Sequence, residues 1–172
     1  MILEIATIMR RRGWTLSIAE TTAGGAIASE CVGLPGAGRW FEEGHVVYSH
    51  ASKDRLGCDK QVFIEHGSVS HAAAKHLALV VAERDGTTIG LSETSIAGPG
   101  GGSDGKPVGT IIIGLAHNGN GMTFAFNAGG DRPRNKQAAV DNALGTLLRY
   151  LQSQDRYDED LEKNLERGGR RV

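Results

Sequence analysis

No apolar run in the 172 residues approaches the roughly 20 that a membrane-spanning helix requires, so a bilayer is not an expected partner. The amino-terminal stretch MILEIATIMRRRGW places its charges after a short apolar segment, unlike a secretory leader, and a cytoplasmic location is the expectation. Cysteine is scarce. Cys31 and Cys58 form no CxxC pair and are too few for a disulfide framework in a chain of this length, so both read as reduced thiols. Charge of one sign is also lacking: the formal net charge is −1, which removes the electrostatic reason to expect nucleic acid. The six histidines are scattered, and no two of them, His71 and His76 included, stand at the i, i+4 spacing of a helical metal pair. No metal is therefore expected. No internal repeat is present.

What is there suits one soluble domain: 40% hydrophobic and 23% charged residues in a length able to bury a sizeable core. Residues 2–12 carry an apolar face and end in Arg10, Arg11, Arg12 and Gly13, cations at the negative end of a helix followed by a glycine stop. Residues 15–19 read as a strand and 22–32 as a helix after a tight turn. Residues 41–48 form a second strand candidate, 50–56 a short helix, and 70–84 a longer helix with Ser70 as N-cap. Strands follow at 87–95, 108–116 and 121–127, then an amphipathic helix over about 135–152. Interleaved helices and strands place the chain in the α/β class, as a three-layer α/β/α sandwich with a mixed, mostly parallel sheet of about five strands. The tight HNGNG connection at 117–121 argues for at least one antiparallel hairpin. The domain is bounded at 1–153. The charged segment 154–172 reads as a fraying, solvated helical tail, with a partner-binding helix as the alternative.

One segment resists the ordinary preference against glycine: Ile96–Thr110, IAGPGGGSDGKPVGT. Bare backbone costs conformational entropy on folding, so this density of glycine implies a needed shape. The segment joins two strand candidates and so lies at a strand end, where α/β folds place ligand crevices. Its N–H groups could approach an anion, with Ser103 and Lys106 adding a hydroxyl and a charge. It is not a Walker loop, because Pro107 follows Lys106. A mere turn remains the other reading.

Together with AETTAGG (19–25), LPGAGRWFEEGHVVYSHASK (34–53) and HGSVS (66–70), this segment resembles the nicotinamide-nucleotide amidohydrolases, the carboxy-terminal domain of the CinA proteins, across roughly residues 2–152. The resemblance implies hydrolysis of the carboxamide of nicotinamide mononucleotide (NMN) to the acid and ammonia, without a cofactor. It further implies that the loop residues Gly98, Gly100, Gly101, Gly102, Ser103 and Lys106 shape a mononucleotide pocket. Glu20, Gly24, Gly25 and Thr94 are assigned to binding in the same way, with Arg132 and Lys136 toward the phosphate. The family motif Y-S-N-x-x-K falls on Tyr48 and Lys53, the pair that activates the nucleophile. A lysine desolvated beside a phenol can lose its proton and act as a base.

The resemblance puts the attacking serine ten positions before Tyr48, and that position is Gly38. Ser49 and Ser52, nearest Lys53 in sequence, are the substitute hydroxyls. Cys31 with His45 or His50 as base is a further arrangement that no motif supports. Glu20 is open to two roles, general base or acceptor for the N–H groups of its turn. Two functions follow: an NMN amidohydrolase lacking its usual nucleophile, or a catalytically silent nucleotide-binding paralogue acting as sensor or partner protein. A homo-oligomer is expected for a compact domain of this size.

Overall fold

The structure, a computed structural model, describes residues 1–168, with side chains described through residue 158. The end of the expected tail, 169–172, lies outside the described residues. The elements in chain order are α1 (Ile2–Arg12), β1 (Leu16–Glu20), α2 (Ala26–Val32), a 3-10 turn (Ala37–Arg39), β2 (Phe41–Val46), α3 (His50–Leu56), α4 (Lys60–His66), α5 (His71–Asp85), β3 (Ile89–Ser95), β4 (Thr110–His117), β5 (Asn120–Asn127) and α6 (Arg132–Gly168). No helix among the described residues is long and apolar enough to cross a membrane.

The five strands form one sheet in the order β2-β1-β3-β4-β5. β1 pairs in parallel with β2 and β3, while β4 is antiparallel to both β3 and β5, so four strands point one way and β4 alone is reversed. One face carries α1, α2 and α6 over Ile5, Met9, Leu16, Ile18, Ile27, Leu91, Ile113 and Leu147. The other carries α3, α4 and α5 over Ala19, Val47, Leu56, Phe63, Leu77 and Val81. These are the three layers that interleaved periodicities imply.

The second face explains the alanine run in α5. A Cβ placed on Gly90 would lie 2.0 Å from the Ala78 carbonyl oxygen, and one on Gly114 would lie 2.2 Å from that of Ala74. The helix backbone therefore rests directly on the two central strands, and the Ser92 hydroxyl donates to the Ala74 carbonyl at 2.6 Å. Such close layering works only with glycine below and alanine above.

Several boundaries differ from the sequence reading. α4 has no counterpart there, because a seven-residue helix with one buried anchor, Phe63, has no measurable period; Asp59 caps it by accepting from the Gln61 N–H at 2.9 Å. α2 begins at Ala26, not Thr22, since residues 21–25 form a turn held by buried carboxylates. α6 starts at Arg132, where Asp131 accepts from the Arg134 N–H at 3.1 Å as the N-cap. It then continues through the 153/154 boundary, and Arg12 pairs with Asp155 and Asp158, each at 2.7 Å.

Candidate functional site

β1, β2 and β3 all end at the same edge of the sheet, and the segments that leave them enclose a cavity of about 340 Å³. This is the crevice beyond the carboxyl ends of strands that α/β topology leaves open. Thr21 and Thr22 come from the turn after β1, Tyr48 and Lys53 from the segment after β2, and Ser95 through Gly98 with Gly100 and Gly101 from the loop after β3. Ser68 and Val69 close it from the α4–α5 connection, and Arg132 from the start of α6.

Two buried carboxylates build this edge. Glu20 and Glu93 are register partners on adjacent parallel strands. Glu20 accepts from the N–H groups of Gly25 (2.8 Å), Ile27 (3.1 Å) and Ala28 (2.7 Å), which places a negative charge at the positive end of α2. Of its two possible roles it fills the structural one. Glu93 accepts from the N–H groups of Thr21 (3.1 Å) and Ala23 (3.0 Å) and from the Ser95 hydroxyl (2.6 Å). Burial, with Glu20 beside it, holds the Glu93 carboxyl above the ordinary carboxylate range although these hydrogen bonds pull the other way. The threonines face the cavity with their hydroxyls turned to backbone: Thr22 donates to the Ser95 carbonyl at 2.8 Å and Thr21 to that of Glu93 at 3.1 Å.

Lys53 is 2% exposed. Its Nζ donates to the Tyr48 carbonyl at 3.2 Å and lies 5.6 Å from the centre of the Phe63 ring. Among the described residues no carboxylate lies within salt-bridge distance of it. Desolvation lowers its pKa, against the opposing pull of the Cys58 thiol, itself pushed up to about 11. A buried amine without a counter-ion gives up its proton more readily than a surface lysine does. The contact with Tyr48 runs through the main chain; the Tyr48 side chain is 62% exposed at the rim.

The glycine loop is shaped mainly by close approach to itself. Gly98 has φ +86°, and a Cβ there would lie 2.5 Å from Val108 Cγ1; a Cβ on Gly102 would lie 2.9 Å from the Val108 nitrogen. The loop is tied to α6 by Arg132, which donates to the Gly98 carbonyl at 2.9 Å, and by the buried Asn135, which donates to the carbonyls of Ala97 (3.0 Å) and Gly130 (2.7 Å). Gly98, Gly100 and Gly101 line the cavity. Gly102, Ser103 and Lys106 do not: Ser103 and Lys106 exchange backbone hydrogen bonds in a small turn, and Lys106 Nζ donates to the His66 carbonyl at 3.1 Å. That amine caps the C-terminus of α4 instead of facing a ligand.

Other residues singled out from the sequence lie elsewhere. Thr94 is fully buried inside β3, behind the wall, with its hydroxyl unpartnered. Gly24 and Lys136 stand together beside the cavity, a Cβ on Gly24 falling 3.6 Å from Lys136 Nζ. Lys136 and Arg132 line a neighbouring cavity of about 400 Å³. Gly25 lies next to Gly24 in the turn after β1, where its N–H serves Glu20. Ser49 and Ser52 form the N-cap of α3, Ser49 accepting from the Ser52 N–H at 3.1 Å and Ser52 Oγ donating back to the Ser49 carbonyl at 2.7 Å. Neither lines the cavity. Cys31 packs in the α1/α2/α6 core, its thiol pushed up to about 12 by burial, on the face of the sheet away from His50. An inert thiol there closes the cysteine arrangement.

Gly38 lies apart from Tyr48 and Lys53. It sits in the 3-10 turn that precedes β2, whereas Tyr48 and Lys53 follow β2. Six strand residues at about 3.3 Å each put it on the order of 20 Å away, at the opposite end of the sheet. The resemblance sets the attacking position ten residues before Tyr48, and within one chain the extended β2 strand turns those ten residues into distance. Within one chain position 38 does not reach Lys53. Gly38 is exposed, lies outside the left-handed region, and a Cβ on it would meet nothing within 4 Å.

The sequence reading named neither Thr21, Thr22, Ser68 nor Ser95 as wall residues, nor Glu93 and Asn135 as supports. The first three lie inside stretches already notable, AETTAGG and HGSVS. Glu93 carried a signal too, as the one charged residue of its strand, IGLSETS.

The model of the CinA C-terminal domain matches residues 1–151. A CinA-like protein of Citrifermentans bemidjiense is 39% identical over 149 residues, covering 86% of this chain and 36% of that protein. The chain thus spans about a third of the length of the curated relatives it matches. Among solved structures, a CinA superfamily protein from Klebsiella pneumoniae superposes with a TM-score of 0.83 at 26% identity, covering 88% of this chain and 96% of the other. The competence/damage inducible protein CihA from Agrobacterium tumefaciens gives 0.76 at 30% identity, covering 85% and 94%.

Proposed function

The chain belongs to the CinA C-terminal domain family, and on that premise we propose that the cleft binds nicotinamide mononucleotide and hydrolyses its carboxamide to nicotinate mononucleotide and ammonia. The observation that carries this reading is Lys53: a buried amine with no carboxylate partner among the described residues, at the wall of a cleft of mononucleotide size. In its neutral form the amine takes a proton from the attacking water, and as ammonium it returns that proton to the departing nitrogen. Arg132 and the N–H groups of the glycine loop hold the phosphate. Ser49 and Ser52 are committed to the α3 cap, so water is the attacking group within one chain. Without covalent catalysis the turnover is expected to be slow.

One observation favours the second reading, a silent nucleotide-binding protein: position 38 offers no hydroxyl to a second copy either. Ammonia release from NMN by purified protein, with calorimetry on the same compound, separates the two. Turnover that vanishes in Lys53→Ala supports the amidohydrolase. Binding without turnover supports the silent binder, and turnover that survives Lys53→Ala overturns the assigned chemistry. Light scattering during the same experiments tests the expected homo-oligomer.

A further inference from the structure

We infer that the ligand has a second lobe, and that the chain takes a pyrophosphate-linked dinucleotide across two adjoining cavities. The inference rests on the mononucleotide reading of the first. Beside that cavity lies a second of about 400 Å³, and Arg132 lines both. The two differ in character. The first is walled by hydroxyls, bare backbone and Lys53, whereas the second is floored by Ala23, Ala26, Pro133 and Val140. An apolar floor of small side chains suits the face of a heterocyclic base, not another sugar or phosphate.

Arg132 stands between the cavities, and Lys136 joins it in the wall of the second. They are one helical turn apart on α6, which sets their Cβ atoms about 5–6 Å from each other. Among the described residues neither has a carboxylate within salt-bridge distance, and Arg132 spends one N–H on the Gly98 carbonyl at 2.9 Å. Lys136 lies over the bare backbone of Gly24. The terminal phosphate of a mononucleotide is itself close to a dianion, so the two cations alone do not separate it from a pyrophosphate; the apolar chamber beyond them does. Arg132 between a polar and an apolar chamber, with Lys136 in the wall of the second, matches a doubly charged linkage with a base on each side. The pyridine lobe then lies toward Lys53 and the second base over Ala26 and Val140.

The test compares binding of NMN, AMP and NAD to the full chain by calorimetry. The expected result is NAD tighter than NMN or AMP by about tenfold or more, the worth of one added charge-assisted contact. Gln137→Trp, on an exposed part of the second wall, removes that gain and leaves NMN affinity unchanged, while Lys136→Ala weakens NAD more than NMN. NAD binding no tighter than NMN overturns the second lobe and spares the mononucleotide reading, as does an equal loss for both ligands in Lys136→Ala. NAD binding that is blocked by Gln137→Trp, with no detectable NMN binding, upholds the second lobe and removes the mononucleotide reading. Absence of binding by all three overturns both. Thermal melts establish that each variant is folded.

Discussion

The two ends of the sheet are built from similar groups and put to different uses. At the end where β3 begins, Arg12 lies 4.5 Å over the Trp14 ring, Trp14 packs 4.5 Å from His117, and His117 bonds the Tyr150 hydroxyl at 2.6 Å. Arg12 is also paired with Asp155 and Asp158, so its charge is answered inside the molecule. At the opposite end the hydrogen bonds of Lys53 and Arg132 go to backbone carbonyls, and among the described residues neither has a carboxylate within salt-bridge distance. A cation answered by a carboxylate has little to offer a ligand, whereas one held by a carbonyl still lacks a negative charge. The comparison teaches that the site is marked less by its cations than by the absence of their counter-ions.

The strongest way to break this contrast is Lys53→Ala, which should lower NMN turnover by roughly 10²–10⁴, the usual worth of a positioned acid–base group, with little loss of fold. Lys53 also leaves a signature in stability. Its pKa in the folded chain is lowered, so between that pKa and the ordinary lysine value the unfolded chain binds more protons, and stability rises with pH across that window. Urea titrations at successive pH values should show this rise in the wild type and its loss in Lys53→Met; a slope unchanged in the variant would place its source elsewhere.

Next in size is Gly114→Ala, which pushes a methyl against the Ala74 carbonyl and should cost about 3 kcal/mol, the upper part of the overpacking range. Both ends hang on that central layer, so melting temperature should fall without a preferential loss at either. Smaller again is Tyr150→Phe, which removes the hydrogen bond to His117 and should cost about 1 kcal/mol in urea unfolding; NMN affinity should be untouched, and a change in it would mean the ends communicate. The smallest effect belongs to Asp155→Asn, at most about 1 kcal/mol for a partly exposed pair. Against the upward pull of burial, hydrogen bonds from Arg11 and Arg12 hold Asp155 below the ordinary carboxylate range. Its contribution should therefore be full above the unfolded aspartate pKa and disappear as pH falls through the folded one. An Asp155→Asn deficit that persists at low pH would assign the effect to packing.

Local pattern made much of the fold legible. Apolar periodicity and terminal signals located α1 to the residue, α3 likewise, and α5 within one position, because each is amphipathic or capped within its own few residues. The five strands were legible for the same reason, and the HNGNG turn announced that β4 and β5 are antiparallel. What local pattern could not carry was α4, which buries Phe63 alone, and the start of α2, delayed by hydrogen bonds to Glu93, a residue about 70 positions away.

By itself, then, the sequence determined the class of fold, the order of elements and the presence of a shaped loop at a strand end, since backbone propensity and side-chain period act over neighbouring residues. Only the tertiary structure decided which of the marked residues share a site. It set Glu20 to hold a helix, turned Lys106 onto the end of α4, buried Thr94 behind the wall and moved Lys136 into a second cavity. It also brought Thr22, Ser68 and Arg132 to the same 340 Å³ from three distant segments. The physical reason is plainest at Gly38 and Lys53: a strand converts few residues into a long distance, and the packing of layers converts many residues into a short one.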